Sequence, residues 1–565
     1  MFYQPISIRE AIENVNETWF LPAIQRPYDW GDRNKKEEFI YKLFDSITRE
    51  YPIGTLIVWK TNRAIPFRRF LEDYDSERLT RIMDKGLWKK KDKHLIYDGQ
   101  QRLQSLYSCL KYTFHGRILC YNLLFDLRSD KESAGFKFFK KHEEPDANYI
   151  KLNELYSCSR KHVAEFEDEI LERFRKAKNL AKKEELLVKS NLKQLLKLFV
   201  ETDTKLLSYY PLEKELDEDE VLGIFKRINT TGMQLTNSEI LFSELKKDRF
   251  DFEEKMWDAS LEVKKQTGSG FSFGPDNILQ TAHLIVKGTV RMDPERLDAS
   301  ERRKLIETWP DLKSPLYSFF YDFLYREFKI THEKIITYKT ALLPLIAYFY
   351  YMRTIKRRKF RDFSAKSLDR MKKYFVISQL LDWSLQGHVD EFHRIVKNEC
   401  GKTGKCDFPY QKIINFVKRE GKRPAELKSE YLDYPYQRWF VLKIASPEKA
   451  FSFECEPDER FNPEIDHIFP ATPDHPGRYS KKYYKWVETV WNLQPVKGEI
   501  NNLKRAKLPQ EFFSRYPKYL KDYDFLPSHN AQDEIWQPKH APEFIRERKR
   551  KMVAWFRNCY GLPIS

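Results

Sequence analysis

Cysteine is scarce in this chain: seven among 565 residues, an odd number, scattered and with no CxxC pair. That spacing excludes a disulfide framework and points to reduced, mostly buried thiols. Cys400, Cys406 and His393 form the one trio that could meet at a metal, but no fourth ligand accompanies them. Long apolar runs are also missing, so no segment reaches the length needed to span a bilayer. The start, Met1-Phe2-Tyr3-Gln4-Pro5, has no basic segment followed by an apolar one, which predicts a cytoplasmic protein without a secretion signal or a membrane partner. There is no internal repeat, and residues 246 to about 425 hold no catalytic pattern.

What is present argues for a folded chain with a polyanionic partner. A hydrophobic content of 41%, with 15% aromatic residues, excludes disorder, and 565 residues exceed what one core supports. The formal net charge of +17 favours nucleic acid, because clustered Lys and Arg gain affinity by releasing its counterions. Charge alone does not separate DNA from RNA. The basic blocks Lys89 to Lys91, Lys356 to Lys359 and Arg546 to Lys551 each read first as solvated faces.

The stretch richest in chemistry runs from Glu464 to Lys507. Asp466-His467 sits within an apolar strand that turns at Pro470; Asn492 opens a second apolar strand, Leu493 to Val496; Asn501 follows, with Lys504 and Lys507 beyond it. A buried polar pair capping a strand is the bland alternative. The combination resembles the HNH, or ββα-metal, nucleases, two strands and a helix around one cation. Such a site needs a neutral imidazole to take a proton from water and hard oxygen ligands to hold Mg²⁺ against phosphate. The resemblance makes His467 the base, Asp466 and Asn501 the metal ligands, and Asn492 the brace of the loop that carries His467. Lys504 and Lys507 would then neutralise phosphate. The lack of a CxxC pair removes the structural zinc of many such nucleases and leaves Tyr479, Tyr483, Tyr484, Trp486 and Trp491 to supply the local core.

Toward the N-terminus the pattern is mixed α/β. Helical spacing over Ile6 to Val15 and Lys35 to Glu50 alternates with strand-like Thr55 to Trp59 and His94 to Tyr97. The second of these strands ends in Asp98-Gly99-Gln100-Gln101-Arg102, and a helix follows. Gly99 permits a tight turn, the free N–H groups of the helix start face outward, and Arg102 adds a positive fork, so the block suits an anion. A turn and cap is the competing reading. Further on, His162 to Val200 reads as a charged helical hairpin, Leu206 to Tyr210 as a strand, and Glu218 to Ile228 as a helix stopped by Asn229-Thr230-Thr231-Gly232.

Four blocks, Phe20 to Trp30, Pro52-Ile53-Gly54, Asp98 to Arg102 and Phe225 to Thr236, resemble the N-terminal domain of GmrSD/SspE-like modification-dependent restriction endonucleases. The resemblance implies a ParB/sulfiredoxin-like domain whose Asp98, Gly99, Gln100, Gln101 and Arg102 serve hydrolysis of GTP or ATP. Gln25, Arg26 and Tyr28 are the candidates for sensing a DNA mark, with a Pro-fixed turn against the core as the equal alternative.

The expectation is therefore a multidomain α+β protein. An NTPase and modification-sensing domain with a helical insertion spans 1–245, a helical coupling region 246–425, and an HNH nuclease domain 426–565. Its function would be NTP-regulated, Mg²⁺-dependent cleavage of modified double-stranded DNA in phage defence, as a homodimer or with partner defence proteins. The alternatives are a ParB-like nucleotide-switched DNA-binding protein and an unregulated HNH toxin.

Overall fold

The computed structural model describes residues 2–25, 28, 30, 37–75, 81–90, 92–128, 134–177, 181–229, 236–267, 271–294, 297–404, 406–449, 451, 463–471 and 484–560. It divides into two compact units, Met1–Glu254 and Lys255–Ser565. Arg26 and Thr230 to Leu235 lie outside the described residues, as do Tyr479 and Tyr483.

The first unit is built on a mixed six-stranded sheet. Its strands are β1 (Gln4–Ile6), β2 (Trp19–Pro22), β3 (Thr55–Lys60), β4 (Phe67–Arg68), β5 (His94–Asp98) and, after a second sheet, β9 (Leu207–Leu212), in the spatial order β1-β9-β3-β5-β2-β4. β3 pairs antiparallel with β5 and parallel with β9, and β2 runs parallel to β5. Side-chain alternation sends Leu56, Val58 and Ile96 into one apolar cluster and Trp59, Leu95 and Tyr97 into another. Both faces of the central strands are thus covered, which is why these segments read as unbroken apolar runs rather than alternating ones. The second sheet is antiparallel, β7 (Phe136–Lys140), β6 (Arg117–Asn122) and β8 (Tyr149–Lys151). The expected helical hairpin is present as Val163–Ala177 and Lys182–Phe199.

The second unit is mainly helical. Helix Leu343–Thr354 is buried nearly all round, as expected of a helix apolar on every face. Helix Ala299–Ser318 carries Pro310 and Pro315 and passes directly into a π-helical segment, Phe319–Tyr325. Near the C-terminal end, strands β10 (Pro463–His467) and β11 (Leu493–Lys497) pair antiparallel, and helix Gly498–Lys504 follows without a break. This part shares its core with the helices before it. Phe375 packs on Phe440 at 5.6 Å, and the Gln437 amide donates to the carbonyls of Gln379 and Leu380. The expected boundary near 425 falls within the second compact unit, Lys255–Ser565. Among the described residues no helix is long and apolar enough to cross a membrane.

Candidate functional site

Two clusters of expected site residues exist, one in each unit.

In the second unit, the register Asp466↔Gln494 and His467↔Leu493 sets Asp466-His467 at the inner end of β10, beside the strand that leads into helix Gly498–Lys504. Alternation puts Glu464 and Asp466 on one side of β10. The helix answers with Asn501 and Lys504, one turn apart and so on one face. Asn501 Nδ2 donates to Glu464 Oε2 at 2.7 Å, which leaves its Oδ1 as the acceptor end. Lys504 Nζ donates to Asp466 Oδ1 at 2.9 Å and to the carbonyl of His467 at 2.6 Å. Its side chain is 0% exposed and that of Asp466 3%. Lys504, expected to neutralise phosphate, is thus enclosed and occupied in holding the Asp466-His467 pair. Lys507 is half-buried and donates to the carbonyl of Leu503 at the helix end.

The second oxygen of Asp466 accepts from the hydroxyl of Tyr523 at 2.9 Å. Burial first, then the neighbouring Asp466 carboxylate, push that phenol well above its ordinary value, so it stays a neutral donor. His467 is 29% exposed on its side chain, and its Nε2 lies 3.1 Å from Glu488 Oε1. Glu488 is anchored in turn by Arg438, which donates to both its carboxylate and its backbone carbonyl. Asn492 is fully buried. Its Oδ1 accepts from the N–H of Phe469, and its Nδ2 donates to the carbonyls of Phe469 and Val487 at 2.8 and 3.0 Å, tying the chain just after His467 to the start of β11.

β11 is held from behind by Arg548. Its guanidinium donates to the carbonyls of Trp491 and Leu493, to Gln494 Oε1 and to the carbonyl of Asp524. Burial pushes its pKa down to about 10, with Asp524 and Asp466 opposing. The basic block Arg546 to Lys551 is therefore not a uniform solvated face: Arg548 points inward, and Lys551 caps the carbonyl of Leu526.

A metal held here would have to use the oxygens of Asp466, Asn501 and Glu464, a hard donor set of the kind Mg²⁺ takes. Each Asp466 oxygen has accepted one hydrogen bond and keeps a second lone pair. Among the described residues no group of three or more His, Cys, Asp or Glu side chains converges as a metal cluster would. Cys400 Sγ lies 2.9 Å from Cys406 Sγ, while His393 Nε2 turns to the hydroxyl of Tyr351 at 2.8 Å. Burial lowers the pKa of His393 to about 4 and keeps it neutral.

In the first unit the described parts of the first three sequence blocks meet at the start of helix Gln100–Lys111. Gly99 takes the left-handed conformation, φ 89°, that lets β5 turn into the helix. A Cβ there would meet Leu56 Cδ2 at 2.1 Å. Arg102 does not reach outward. Its Nη1 donates to the carbonyl of Ile53 at 2.5 Å, and its Nη2 donates to the carbonyl of Thr55 at 2.9 Å and to Asp98 Oδ2 at 3.2 Å. The Pro52-Ile53-Gly54 turn is thus clasped by the Asp98-Gly99 turn, and a Cβ at Gly54 would lie 2.4 Å from Arg102 Nη1. Burial lowers the pKa of Arg102, with Asp98 opposing. Asp98, with 36% of its side chain exposed, is the more accessible partner.

Gln25 and Tyr28, two of the three expected sensor residues, also face inward. Gln25 is buried and donates its amide to the carbonyls of Ile96 and Tyr97, and its own carbonyl accepts from Arg68 and Lys246. Tyr28 hydrogen-bonds Ser105 at 2.6 Å and packs edge-on against Tyr74. Gln101 Oε1 accepts from the Trp30 N–H at 3.3 Å, and Gln100 is buried on the first turn of the helix. Phe225, from the fourth block, stands edge-on to Tyr97 at 6.2 Å.

Several participants were not singled out from sequence. Glu464 had a signal in its two-residue spacing from Asp466. Glu488, Tyr523 and Arg548 had none, because their positions relative to the hairpin are set by tertiary packing.

Residues 8–246 match the family model described as the GmrSD restriction endonuclease, N-terminal domain. The matched stretch is less than half of the chain and ends before the β10–β11 hairpin. No curated protein matches the chain.

Proposed function

We propose that the chain is a Mg²⁺-dependent DNA endonuclease of a modification-dependent restriction system, with its cutting centre on the β10–β11 hairpin and helix Gly498–Lys504. The observation that carries the reading is the pairing of strand and helix, Glu464 with Asn501 and Asp466 with Lys504, beside a histidine that keeps solvent access. In this reading the Glu488 carboxylate accepts from His467 Nε2–H, which leaves Nδ1 as the nitrogen that takes a proton from the attacking water. Lys504 fixes both the carboxylate of Asp466 and the carbonyl of His467, and Asn492 fixes the turn beyond, so the base is held by buried hydrogen bonds rather than by its own surface contacts. Asp466, Asn501 and Glu464 would hold the cation, which supplies Lewis-acid stabilisation of the phosphate and leaving oxygen when bound.

The first unit is proposed to bind GTP or ATP near Asp98 and the helix start at Gln100, and to gate cutting. A nucleotide gates only by binding two states of the protein differently, so control acts through a conformational or assembly equilibrium. With Gln25 and Tyr28 turned into the core, Arg26 is the remaining sensor candidate of that trio.

The test is cleavage of phosphorothioated, glucosylated and unmodified plasmid by the full chain with Mg²⁺, with and without GTP or ATP. Cutting confined to one marked substrate, at a rate that changes with nucleotide, is the expected result. Equal cutting of all three would favour the unregulated toxin, and binding without any cutting the nucleotide-switched DNA-binding protein.

A further inference from the structure

In the helical part of the second unit, a cavity of about 630 Å³ opens beside the π-helical segment Phe319–Tyr325. Five cations line it, Arg326, Arg353, Arg358, Lys359 and Arg361, against a single carboxylate, Asp322. Asp322 is already engaged by the hydroxyl of Ser318 at 2.6 Å and lies 3.7 Å from Arg326. Arg361 lies 3.8 Å from Asp362. Arg353, Arg358 and Lys359 have no ion-pair partner among the described residues. Arg353, Lys359 and Arg361 are exposed and Arg358 half-buried, so water screens their repulsion, while their summed field at the mouth of the cavity favours an anion over a cation.

The same walls carry aromatic faces. Tyr321 is 41% exposed, and Phe360 stacks on the buried Phe349 at 5.7 Å and 10°. Gln266 adds a directional group: its Nε2 donates to Glu262, and its buried Oε1 has no hydrogen-bond partner among the described residues. The basic loop is also held in place. The Arg358 N–H donates to the carbonyl of Met352, and Lys356 donates to the carbonyls of Lys402 and Gly404. π-Helical turns recur at functional sites, because the extra residue re-aims side chains. Here it places Tyr321 and Asp322 on the cavity wall.

A cluster of cations, a stacking face and an amide oxygen without a partner among the described residues line one cavity of ordinary ligand size. We infer that this cavity binds a nucleoside phosphate, its phosphate among Arg353, Arg358 and Lys359 and its base against Tyr321. The nucleoside phosphate is either a free nucleotide or one unit of a DNA strand. This site lies in the helical part, where the sequence offered no function, and its argument uses neither the nuclease residues nor the Asp98–Arg102 turn.

The experiment uses the full chain in EDTA, so its outcome does not depend on whether the protein cuts. Anisotropy of a labelled single-stranded oligothymidylate and calorimetry with ATP are compared for wild type, Arg353→Ala/Arg358→Ala and Tyr321→Leu, with tripolyphosphate as the base-free competitor and thermal melts as the folding control. The arginine pair should weaken binding at least about tenfold and reduce the magnitude of the log–log salt slope by roughly 0.7 for each lost phosphate contact on a single strand. Tyr321→Leu should weaken the nucleotide or strand several-fold and leave tripolyphosphate unchanged, as loss of base stacking requires. Loss of one ATP site from the stoichiometry, leaving at most the one proposed near Asp98, identifies a free nucleotide as the ligand; loss confined to the oligothymidylate identifies a strand. Wild-type binding of both probes by the folded arginine variant would overturn the inference. So would tripolyphosphate competing as well as ATP while Tyr321→Leu changes nothing.

Discussion

Replacing His467 with alanine in the full chain is expected to lower DNA cleavage by ~10²–10⁴-fold, the range typical of losing a general base. The fold should survive the change. The imidazole is part-exposed and, among the described residues, hydrogen-bonds the exposed Glu488, while the buried contacts of this residue run through its backbone carbonyl to Lys504. The thermal midpoint and DNA binding in EDTA should therefore stay near wild type while product formation collapses. Glu488→Gln should fall between the two, since the amide can still meet Nε2 but no longer selects its protonated form. Wild-type cutting rates in the alanine variant would remove His467 from the mechanism.

The second large effect is on stability. Asp466 and Lys504 form an enclosed ion pair completed by Tyr523 and the carbonyl of His467. Removing one partner leaves the other charge buried without compensation, which costs about 3–5 kcal/mol, whereas removing both together costs far less. Lys504→Met alone should lower the denaturation midpoint of the second unit sharply, and Asp466→Asn/Lys504→Met should recover most of the loss. This separates two roles for Lys504. A lysine whose job is to touch phosphate would, when lost, leave the melt unchanged and weaken DNA binding instead. An unchanged melt in the single variant would contradict the enclosed pair.

Much of the architecture could be read from the chain because its physics is local. Thr55 to Trp59 and His94 to Tyr97 are strands buried on both faces, and apolar runs bounded by Gly54 and Gly99 announce them. Gly99 marks a turn that only a positive φ can make, and the spacing of Asp466, Asn492 and Asn501 anticipates two strands and a helix. What could not be read is where long polar side chains end. Arg102, Gln25, Lys504 and Arg548 look like surface chemistry in a sequence, yet each is spent on backbone carbonyls of a neighbouring segment. Their partners are distant in the chain, so no spacing rule reports them. Strand carbonyls and turns that fall inside a folded unit need donors, and long cationic or amide side chains are the groups that reach them. The same holds for Gln437 and Phe440, which pack against the preceding helices although the Pro-containing polar stretch at 423–435 carries no sign of it.

The β10–β11 hairpin and helix Gly498–Lys504 are proposed to hold, through Asp466, Asn501 and Glu464, a cation that would stabilise the phosphate while His467 acts as base. The most direct test of this claim is the Mg²⁺ dependence of plasmid nicking by the full chain, titrated from EDTA upward for wild type and Asn501→Ala. The account predicts no nicking in EDTA, saturation of the wild type with Mg²⁺, and for Asn501→Ala either no nicking or a requirement for at least about tenfold more Mg²⁺, the scale on which disturbing a metal site lowers affinity. Nicking in EDTA, or an Asn501→Ala titration that overlays the wild type, would contradict it.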